Sequence, residues 1–563
     1  MTRRPLLRAA FAGTLLALTT TQLQPAWAAQ PGGLVKPRTS CASLKQTDLT
    51  AIGGAGSHVV EATEVQDGTA TMCAVEGVLA PTITFKVELP VATWTGRYLQ
   101  IGCGGLCGRV SLEAGAADGC VVLNNTGFAV ASTDMGHSGM GGEFGRDPQK
   151  RQDFAFRSVH LTALAAKMLI KAYYGHDADR SYFNGCSDGG REALMEAQRY
   201  PTDFDGIIAG APAMNFQVQN GLYHAWQARS NTGQDGKAIL TAARLPLLHK
   251  AVVAACDGLD GQVDGLISDP LKCHFDPKTL LCTAADTNTN TCLNATEVDA
   301  VRHLYDGPRD PATGERLTVG GPLPGSELAW AGVFVPKAAN EPIFSEIIAL
   351  GTLLNLNFVE NPPADFKLAD MTFDRAALDR LRPLHPLYDA TNPDLTAFEK
   401  SGGKLILWHG LADQHISPVG TIAYYQAVEK RLGAERANRF TRLYLFAGMY
   451  HCSGGEGPDK IDLLTPIMNW VEKGVAPRAI IARQMKDNKD NGFGQPSGAS
   501  SPSIQKDAVA RSRPVYPYPF TTKYDGKGDP NLAGSYGRGK RDEAAIEHWA
   551  GEDFYQPYQP RSQ

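Results

Sequence analysis

A serine lies within the glycine-rich segment 185–190 (GCSDGG). The segment matches the G-x-S-x-G pattern of a nucleophile elbow, the tight turn that presents a serine between a strand and a helix. Residues 181–183 before it have strand character, and residues 191–199 after it have helical character. At a helix N-terminus, the dipole and the free N–H groups favour an oxyanion. The pattern therefore predicts that Ser187 is the nucleophile of an acyl transfer, with an inert turn as the alternative.

An acid and a base for this serine lie on two later loops. Asp413 and His451 each follow a predicted strand, in the chain order serine, acid, histidine of α/β-hydrolases. Asp413 would orient the imidazole, and His451 would act as general base and then as general acid. The alternatives are a turn-capping aspartate and a histidine with a structural role. His409 and His415 compete as the base, but one precedes the acid and the other follows it too closely.

Two cysteines are direct neighbours of these residues. Cys186 precedes Ser187, and Cys452 follows His451. If the serine and the histidine meet, the two sulfur atoms lie close enough for a disulfide. Such a bond would close a loop of more than 260 residues and hold the two catalytic loops in register.

The elements that must position these residues alternate between strand and helix. The strand-like segments are 98–101, 128–131, 181–183, 206–209, 404–408 and 443–446, and the helical segments are 154–174, 191–199, 421–432 and 461–473. This alternation predicts a doubly wound, mostly parallel sheet covered by helices. Residues 212–397 interrupt it with four cysteines and many Gly/Pro turns. We therefore expect a core from two parts, 29–211 and 398–535, an inserted lid domain at 212–397, a loop-like chain after 486, and a polar tail at 536–563.

The composition is that of a globular protein. The chain has 563 residues, 43% of them hydrophobic, and a net charge of −5, which excludes a disordered chain, a coiled coil and a collagen-like repeat. The expected mature chain has no Lys/Arg run, so no nucleic-acid surface is expected. After the first 28 residues, no stretch approaches 18 consecutive apolar residues, so no membrane span is expected. The sequence predicts no oligomeric state.

The first 28 residues have the pattern of a signal peptide. Three arginines precede the apolar run 9–18, and residues 26–28 (AWA) form an A-x-A cleavage site. The alternative is a buried N-terminal helix. We expect export to the periplasm or the medium, where the chain's 11 cysteines are disulfide candidates. Cys103 and Cys107 lack a second pair with zinc-ribbon spacing, so zinc is not expected. The odd count leaves at least one thiol without an intramolecular partner.

An acidic loop at 256–266 suits a hard cation. Asp257, Asp260 and Asp264 lie within eight residues, separated by glycines that permit tight turns. Carboxylate oxygens at this density favour calcium. The loop is not an EF-hand, because Ser268 stands where the bidentate glutamate would be. The alternative is a solvated acidic loop.

Taken together, these motifs resemble the tannase/feruloyl esterase family. The resemblance rests on the Cys-Ser, Asp and His-Cys arrangement, and it extends through segments 102–108 (GCGGLCG), 134–137 (DMGH), 183–190 (FNGCSDGG), 409–413 (HGLAD) and 516–520 (YPYPF). It covers the chain from about residue 41 to 529. It implies a secreted serine esterase for phenolic or aromatic esters, with an α/β-hydrolase core and an inserted lid.

The resemblance also implies roles for individual residues. The oxyanion hole would use the N–H groups of Asp188, which follows the nucleophile, and Gly105; a phosphate-binding glycine turn is the alternative for the loop. A structural calcium would be held by side chains of Asp257, Asp260 and Asp264 and by carbonyls of Gln262 and Leu266. The implied disulfides are Cys41–Cys73, Cys256–Cys273 and Cys282–Cys292. One pair is expected among Cys103, Cys107 and Cys120, and no C-terminal bridge is expected because no cysteine follows Cys452.

The lid supplies candidates for the substrate pocket. Its rings that could stack on a flat acyl group are Trp330, Phe334, Phe344 and Phe358, although each ring taken alone is more simply explained as lid core. A free carboxylate on the substrate would call for an arginine, but the only cations between Arg316 and Arg375 are Lys337 and Lys367.

The sequence therefore favours an uncharged phenolic acyl group, feruloyl or galloyl, over the charged mono(hydroxyethyl) terephthalate. Two further alternatives remain, a serine peptidase on the same fold and a catalytically inactive, calcium-dependent binding module.

Overall fold

The computed structural model describes residue 1 and residues 33–285, 288–487 and 508–560. The predicted signal peptide lies outside the described residues except for Met1. Within the described part of the chain, no helix is long and apolar enough to cross a membrane.

A nine-stranded sheet organises the described residues. Its strands are β1 (His58–Asp67), β2 (Ala70–Leu79), β3 (Ile83–Pro90), β4 (Arg97–Ile101), β5 (Phe128–Thr133), β6 (Arg180–Cys186), β7 (Gly206–Gly210), β8 (Lys404–Gly410) and β9 (Thr441–Phe446). The spatial order is β1-β2-β3-β5-β4-β6-β7-β8-β9. The first three strands are antiparallel, and β4 to β9 run parallel. The mostly parallel α/β fold is thus confirmed.

Helices cover both faces of the sheet. Neighbouring residues of one strand, such as Ile207 and Ile208 in β7, belong to different apolar clusters, because successive side chains of a strand point to opposite faces. One cluster includes the helices Ser158–Tyr174, Asp188–Arg199 and Pro418–Leu432, and the other includes the helix Leu464–Lys473. The carboxyl ends of β6, β8 and β9 consequently lie at one edge, where the predicted catalytic residues follow them.

The chain between β7 and β8 forms the insert. Its longer helices are His224–Ser230, Leu245–Cys256, Ala295–Asp306 and Phe344–Asn355. The insert has an apolar cluster of its own, which contains Leu248, Val301 and Trp330 among others. An insert with its own core can keep its shape while its edge faces the active site.

The C-terminal region differs from the prediction. The predicted loop-like chain after 486 lies outside the described residues at 488–507. The described residues around and beyond it form two antiparallel pairs: β10 (Ile480–Met485) with β11 (Val509–Val515), and β12 (Phe520–Tyr524) with β13 (Tyr536–Arg541). Beyond β13, Trp549, Phe554 and Tyr555 are buried in the main core. The expected polar tail is therefore wrong, because its aromatic residues pack on the core.

Candidate active site

Ser187 lies on a strained turn between β6 and the helix Asp188–Arg199, called here the nucleophile helix. Its φ of 65° and ψ of −121° are unfavourable for a residue with a side chain, and such strain is concentrated at functional sites. The turn is held by the Ser187 N–H, which donates to the Gly210 carbonyl at 3.0 Å. A Cβ added at Gly185 would lie 2.3 Å from the Gly189 oxygen, so this turn requires glycine there.

Asp413 and His451 form a buried acid–base pair. Nδ1 of His451 lies 2.7 Å from Oδ2 of Asp413, and both side chains are almost fully buried. Burial alone would raise the pKa of Asp413, but His451 and the hydrogen bond from His409 outweigh it and hold that pKa below its usual range. The carboxyl is therefore ionised, and it fixes the proton of His451 on Nδ1. Nε2 of His451 is left to act as a base.

His409 supports the same carboxylate from the other side. Its Nε2 lies 3.0 Å from Oδ2 of Asp413 and 3.1 Å from the Ile416 carbonyl, and its Nδ1 lies 2.8 Å from Oγ1 of Thr421. Both neighbours of Nε2 are acceptors, so Nε2 carries the proton and Nδ1 accepts from the threonine. His409 is thereby an orienting group for the acid, a role that the sequence analysis missed. The hydroxyl of Thr421, twelve residues later on a helix, gives no sequence signal.

The active-site cysteines form a disulfide in the structure. Cys186 and Cys452 are bonded with a Cα–Cα distance of 6.0 Å. Because consecutive Cα atoms are ~3.8 Å apart, the Cα atoms of Ser187 and His451 lie no more than about 14 Å apart. Ser187 is half-buried, so a substrate can reach it. The structure thus brings all three predicted triad residues to one edge of the sheet.

Four further disulfides are present among the described residues. Three match the pairs implied by the resemblance: Cys41–Cys73, Cys256–Cys273 and Cys282–Cys292. The fourth is Cys103–Cys107, the pair that the sequence left open, and Cys120 is a buried free thiol.

The predicted oxyanion donors lie on two segments in contact. Asp188 is the first residue of the nucleophile helix, so its N–H has no partner within the helix. Gly105 has a φ of +66° in the loop 102–108, called here the glycine loop. A Cβ added at Gly189 would lie 3.0 Å from the carbonyl carbon of Gly102. Helix and loop therefore meet backbone to backbone, and the role of Asp188 and Gly105 as oxyanion donors stays a prediction.

The glycine loop is braced from its other side by the segment 134–137. Nε2 of His137 donates to the Leu106 carbonyl at 2.7 Å. The N–H of Gly108 donates to the Asp134 carbonyl at 3.1 Å. His137 is buried and stacks on Phe144, with ring centroids 3.7 Å apart. The DMGH segment therefore has a structural role in fixing the loop.

Two of the proposed pocket residues lie elsewhere. Trp330 and Phe334 are 0% exposed and pack on each other and on Tyr305 in the insert's own core. Their assignment to the pocket is wrong, because a ring that fills the lid core cannot stack on substrate. Lys337 is exposed, and its role stays a prediction.

A different aromatic wall faces His451. The ring of His415 lies 4.8 Å from His451, and the half-buried ring of Phe344 lies 4.8 Å from His415. Behind them, His224 is fully buried, and burial together with the nearby His451 lowers its pKa to about 3. The wall is therefore neutral at His224 and is formed by residues of both insert and core.

The acidic loop of the insert folds back on itself. Asp257 accepts from the N–H groups of Asp264 at 3.2 Å and Gly265 at 2.9 Å, and Asp260 accepts from the N–H of Gln262 at 2.8 Å. Leu266 is buried. The five predicted ligands are thus on one compact turn.

The C-terminal strands hold this turn. Nη2 of Arg513, in β11, lies 2.7 Å from Oδ2 of Asp264, and the hydroxyl of Tyr536, in β13, donates to the side-chain oxygen of Gln262 at 2.9 Å. No sequence pattern predicted these contacts.

The sheet, the elbow and the acid–base pair define an α/β-hydrolase. A family model described as tannase and feruloyl esterase matches residues 65–538. The chain belongs to the tannase and feruloyl esterase family, which confirms the resemblance seen in the motifs. It is a carboxylic ester hydrolase of aromatic acid esters.

Individual relatives agree with this placement. A mono(2-hydroxyethyl) terephthalate hydrolase from Piscinibacter sakaiensis is 32% identical over 521 residues, covering 81% of each chain. A probable feruloyl esterase B-2 from Neosartorya fischeri is 32% identical over 497 residues, covering 84% of this chain and 87% of the relative. The crystal structure of feruloyl esterase B from Aspergillus oryzae superposes with a TM-score of 0.74 at 26% identity, covering 89% of this chain and all of that one.

Proposed function

We propose that the chain is a serine esterase with the triad Ser187, His451 and Asp413. The observation that carries the proposal is the strained Ser187, tied through the Cys186–Cys452 disulfide to a histidine whose Nδ1 is bound by a buried carboxylate. The strain exposes the hydroxyl, and the carboxylate keeps the imidazole in the tautomer that accepts a proton at Nε2.

The reaction follows from these roles. Oγ of Ser187 attacks the ester carbonyl while its proton passes to Nε2 of His451. The tetrahedral oxyanion accepts hydrogen bonds from the N–H groups of Asp188 and Gly105. The C–O bond breaks, the alcohol leaves with the proton from His451, and an acyl-serine remains. Water then attacks the acyl group, His451 takes its proton, and the proton returns to Oγ as the carboxylic acid leaves.

We propose an uncharged phenolic acid, feruloyl or galloyl, as the acyl group. Phe344 offers a ring beside the catalytic site, and His224 is held neutral, so neither supplies a cation. A terephthalate monoester needs a cation for its free carboxylate. The Piscinibacter relative, named for that substrate, makes the charged monoester the second candidate.

The test compares three substrates and one variant. The kcat/KM values for methyl ferulate, methyl gallate and mono(hydroxyethyl) terephthalate are expected to favour a neutral ester. Ser187→Ala is expected to lose ~10⁴-fold or more of kcat. If the enzyme prefers the charged monoester and Lys337→Ala loses that preference, the proposed acyl group is wrong and terephthalate takes its place. The assignment as a serine esterase would still hold. Turnover by Ser187→Ala near the wild-type rate, or cleavage of peptides in preference to all three esters, would reject the proposal itself.

We also propose that calcium binds the acidic loop of the insert. The donor set suits it: Asp257, Asp260 and Asp264 offer three carboxylates, and Gln262 and Leu266 offer two carbonyls on the same turn. These five groups are the oxygen donors that calcium prefers, and bidentate carboxylates or water would complete its six to eight ligands. Arg513 binds Oδ2 of Asp264, whereas Oδ1 accepts a long hydrogen bond from the Leu266 N–H at 3.3 Å and has a second lone pair for the ion. The ion would stabilise the insert and take no part in the reaction.

A melting experiment tests the calcium site. Chelation is expected to lower the melting temperature, because removal of a ligand of the native state destabilises it. Added calcium should restore it. Asp260→Ala should abolish the response, whereas Asp235→Ala, an exposed aspartate of the same insert, should keep it. An unchanged melting curve after denaturation and refolding in chelator would reject the site.

Export is the last part of the proposal. The signal-peptide pattern of residues 1–28 and the disulfides of the described chain support it, since disulfides persist in oxidising compartments. Expression with and without residues 1–28 tests it. The full chain should be processed after Ala28 and recovered outside the cytoplasm, and recovery of unprocessed protein in the cytoplasm would contradict it.

A further inference from the structure

A buried polar cluster joins the two halves of the oxyanion hole. Its members are the disulfide Cys103–Cys107 in the glycine loop and the side chains of Asp188 and Glu192 on the nucleophile helix. One sulfur atom from each cysteine and one carboxylate oxygen from each acid lie within 4.8 Å of one another. None of the three roles in the triad uses Glu192, which is 2% exposed. A buried carboxyl group with no catalytic task needs a physical reason to be there.

Glu192 contacts the loop at three atoms. Its Oε1 lies 3.4 Å from the Cys103 N–H nitrogen, 2.7 Å from Sγ of Cys103 and 3.5 Å from Sγ of Cys107. Both sulfur atoms are in a disulfide and carry no proton. Oδ2 of Asp188 also lies 3.4 Å from Sγ of Cys107, so two carboxyl groups meet at the disulfide, and like charges this close disfavour ionisation of both. Because Asp188 is paired with Arg191, the proton resides on Glu192. Burial and the neighbouring Asp188 charge raise the pKa of Glu192, which agrees with this assignment.

Asp188, by contrast, is held as a charged partner. The Arg191 guanidinium binds both its oxygens, at 2.6 and 2.9 Å. The same guanidinium donates to the carbonyls of Phe154 and Ala155 at 3.1 and 2.9 Å. Asp188 and Arg191 therefore anchor the first turn of the helix to the core. Glu192, one residue further, reaches from that anchored turn to the loop.

The loop itself is shaped by the disulfide. Cys103 and Cys107 bracket Gly105, and Cys107 has a φ of 63°. This left-handed conformation is unfavourable for a residue with a side chain, so the loop needs a constraint to hold it. The disulfide supplies that constraint within the loop, and Glu192 adds side-chain contacts with Cys103 and Cys107 to the backbone contact between loop and helix.

We infer that Glu192 is a positioning residue that clamps the disulfide-closed glycine loop to the nucleophile helix and so fixes the separation of the two oxyanion donors. Its carboxyl group acts as a neutral hydrogen-bonding group and touches no reacting atom. The inference rests on the proposed serine mechanism, and it predicts that the clamp affects the transition state more than substrate binding.

The test uses Glu192→Ala, Glu192→Gln and the full chain. Outright removal of an oxyanion donor costs ~10²–10³ in kcat, so Glu192→Ala, which leaves the donors misaligned, should lose about 10- to 100-fold of kcat for methyl ferulate with KM within threefold. The affinity for a boronic acid transition-state analogue should fall by the same factor. Glu192→Gln keeps a neutral hydrogen-bonding group of the same size and should restore kcat.

Two controls make the result interpretable. Glu196→Ala removes another buried glutamate from the same helix and should leave kcat unchanged. If Glu192→Ala does not fold, the double variant Cys103→Ser/Cys107→Ser carries the test, since it leaves the helix intact and should show the same loss of kcat. If Ser187→Ala is inactive but Glu192→Ala has wild-type kcat and wild-type affinity for the analogue, the role of Glu192 is rejected and the serine mechanism stands. Loss of kcat equally in Glu192→Gln and Glu196→Ala also overturns that role, whereas an active Ser187→Ala overturns the mechanism beneath it.

Discussion

Replacing Asp413 by asparagine tests the acid–base pair most directly, because this carboxylate accepts four hydrogen bonds. Its Oδ1 accepts from the backbone N–H groups of His415 at 2.7 Å and Ile416 at 2.9 Å. Its Oδ2 accepts from His451 at 2.7 Å and from His409 at 3.0 Å. The side chain is 0% exposed. Four donors thus converge on two oxygens that bulk solvent does not reach.

Asparagine cannot satisfy this set in either orientation of its amide. If its NH₂ group takes the place of Oδ2, it faces the Nε2 proton of His409, which the Ile416 carbonyl holds in place. It also forces His451 to carry its proton on Nε2, where a base is needed. If the NH₂ group takes the place of Oδ1, it faces two backbone donors. Each buried donor left without an acceptor costs about 1–3 kcal/mol, so the free energy of unfolding should fall by ~2 kcal/mol or more.

The loss of rate should be larger than the loss of stability. An aspartate-to-asparagine change in a serine-protease triad drops kcat by ~10⁴ through the wrong histidine tautomer, and Asp413→Asn should show a loss of that order in ester hydrolysis. Asp389→Asn is the matched control, because Asp389 is equally buried and binds Nδ1 of His385 at 2.7 Å away from the triad. It should lose stability and keep kcat. A kcat for Asp413→Asn within tenfold of wild type would refute the assignment of the acid.

Two more predictions concern a disulfide and a buried ion pair that link distant parts of the chain. Converting Cys186 and Cys452 to alanine should lower the melting temperature and kcat together. The disulfide closes a loop of 266 residues, and its removal frees the unfolded chain and lowers the free energy of unfolding by about 5 kcal/mol. Peptide mapping without reduction that finds two free thiols in active wild-type protein would contradict this. Glu327 and Glu456 outweigh burial and raise the pKa of His249 to about 9, so its stabilisation is complete below about pH 6.5 and is lost as pH rises through about 9. Urea unfolding should therefore show a larger loss for His249→Gln at pH 6 than at pH 10, and equal losses at both would refute the link.

The sequence was informative where local geometry imposes residue types. The elbow at 185–190 needs glycines because added Cβ atoms would meet backbone oxygens at 2.3 Å, and this requirement is visible as a motif. The order of Ser187, Asp413 and His451 is visible because each follows a strand, and the strands before Asp413 and His451 have the continuous apolar runs of buried parallel strands. Strand β1 was missed for the opposite reason. Most residues of β1 are exposed or half-exposed, so the strand lacks the apolar run that marks a buried one.

The pocket shows what residue type alone cannot decide. Trp330 and Phe344 are both aromatic residues of the insert. Trp330 fills the core of the insert, whereas Phe344 is the first residue of the helix Phe344–Asn355 and lies beside His415. The distinction depends on which face of the insert is turned to the sheet, and that depends on contacts between distant segments. The buried Trp549 and Phe554 of the C-terminal segment follow the same rule, because their partners lie far away in the chain.

The pairing of Cys103 with Cys107 joins both lessons. Four residues of chain can bring two Cα atoms to 5.4 Å, within the range of a disulfide, only if the segment turns sharply. The turn exists because the N–H of Cys107 donates to the Gly104 carbonyl and Cys107 adopts a positive φ. The glycines of the loop predict the turn, but hydrogen bonds with His137 and Glu192, from elsewhere in the chain, hold the loop in its closed shape. A motif therefore predicts that a tight loop forms, while the distant side chains that meet it decide its shape.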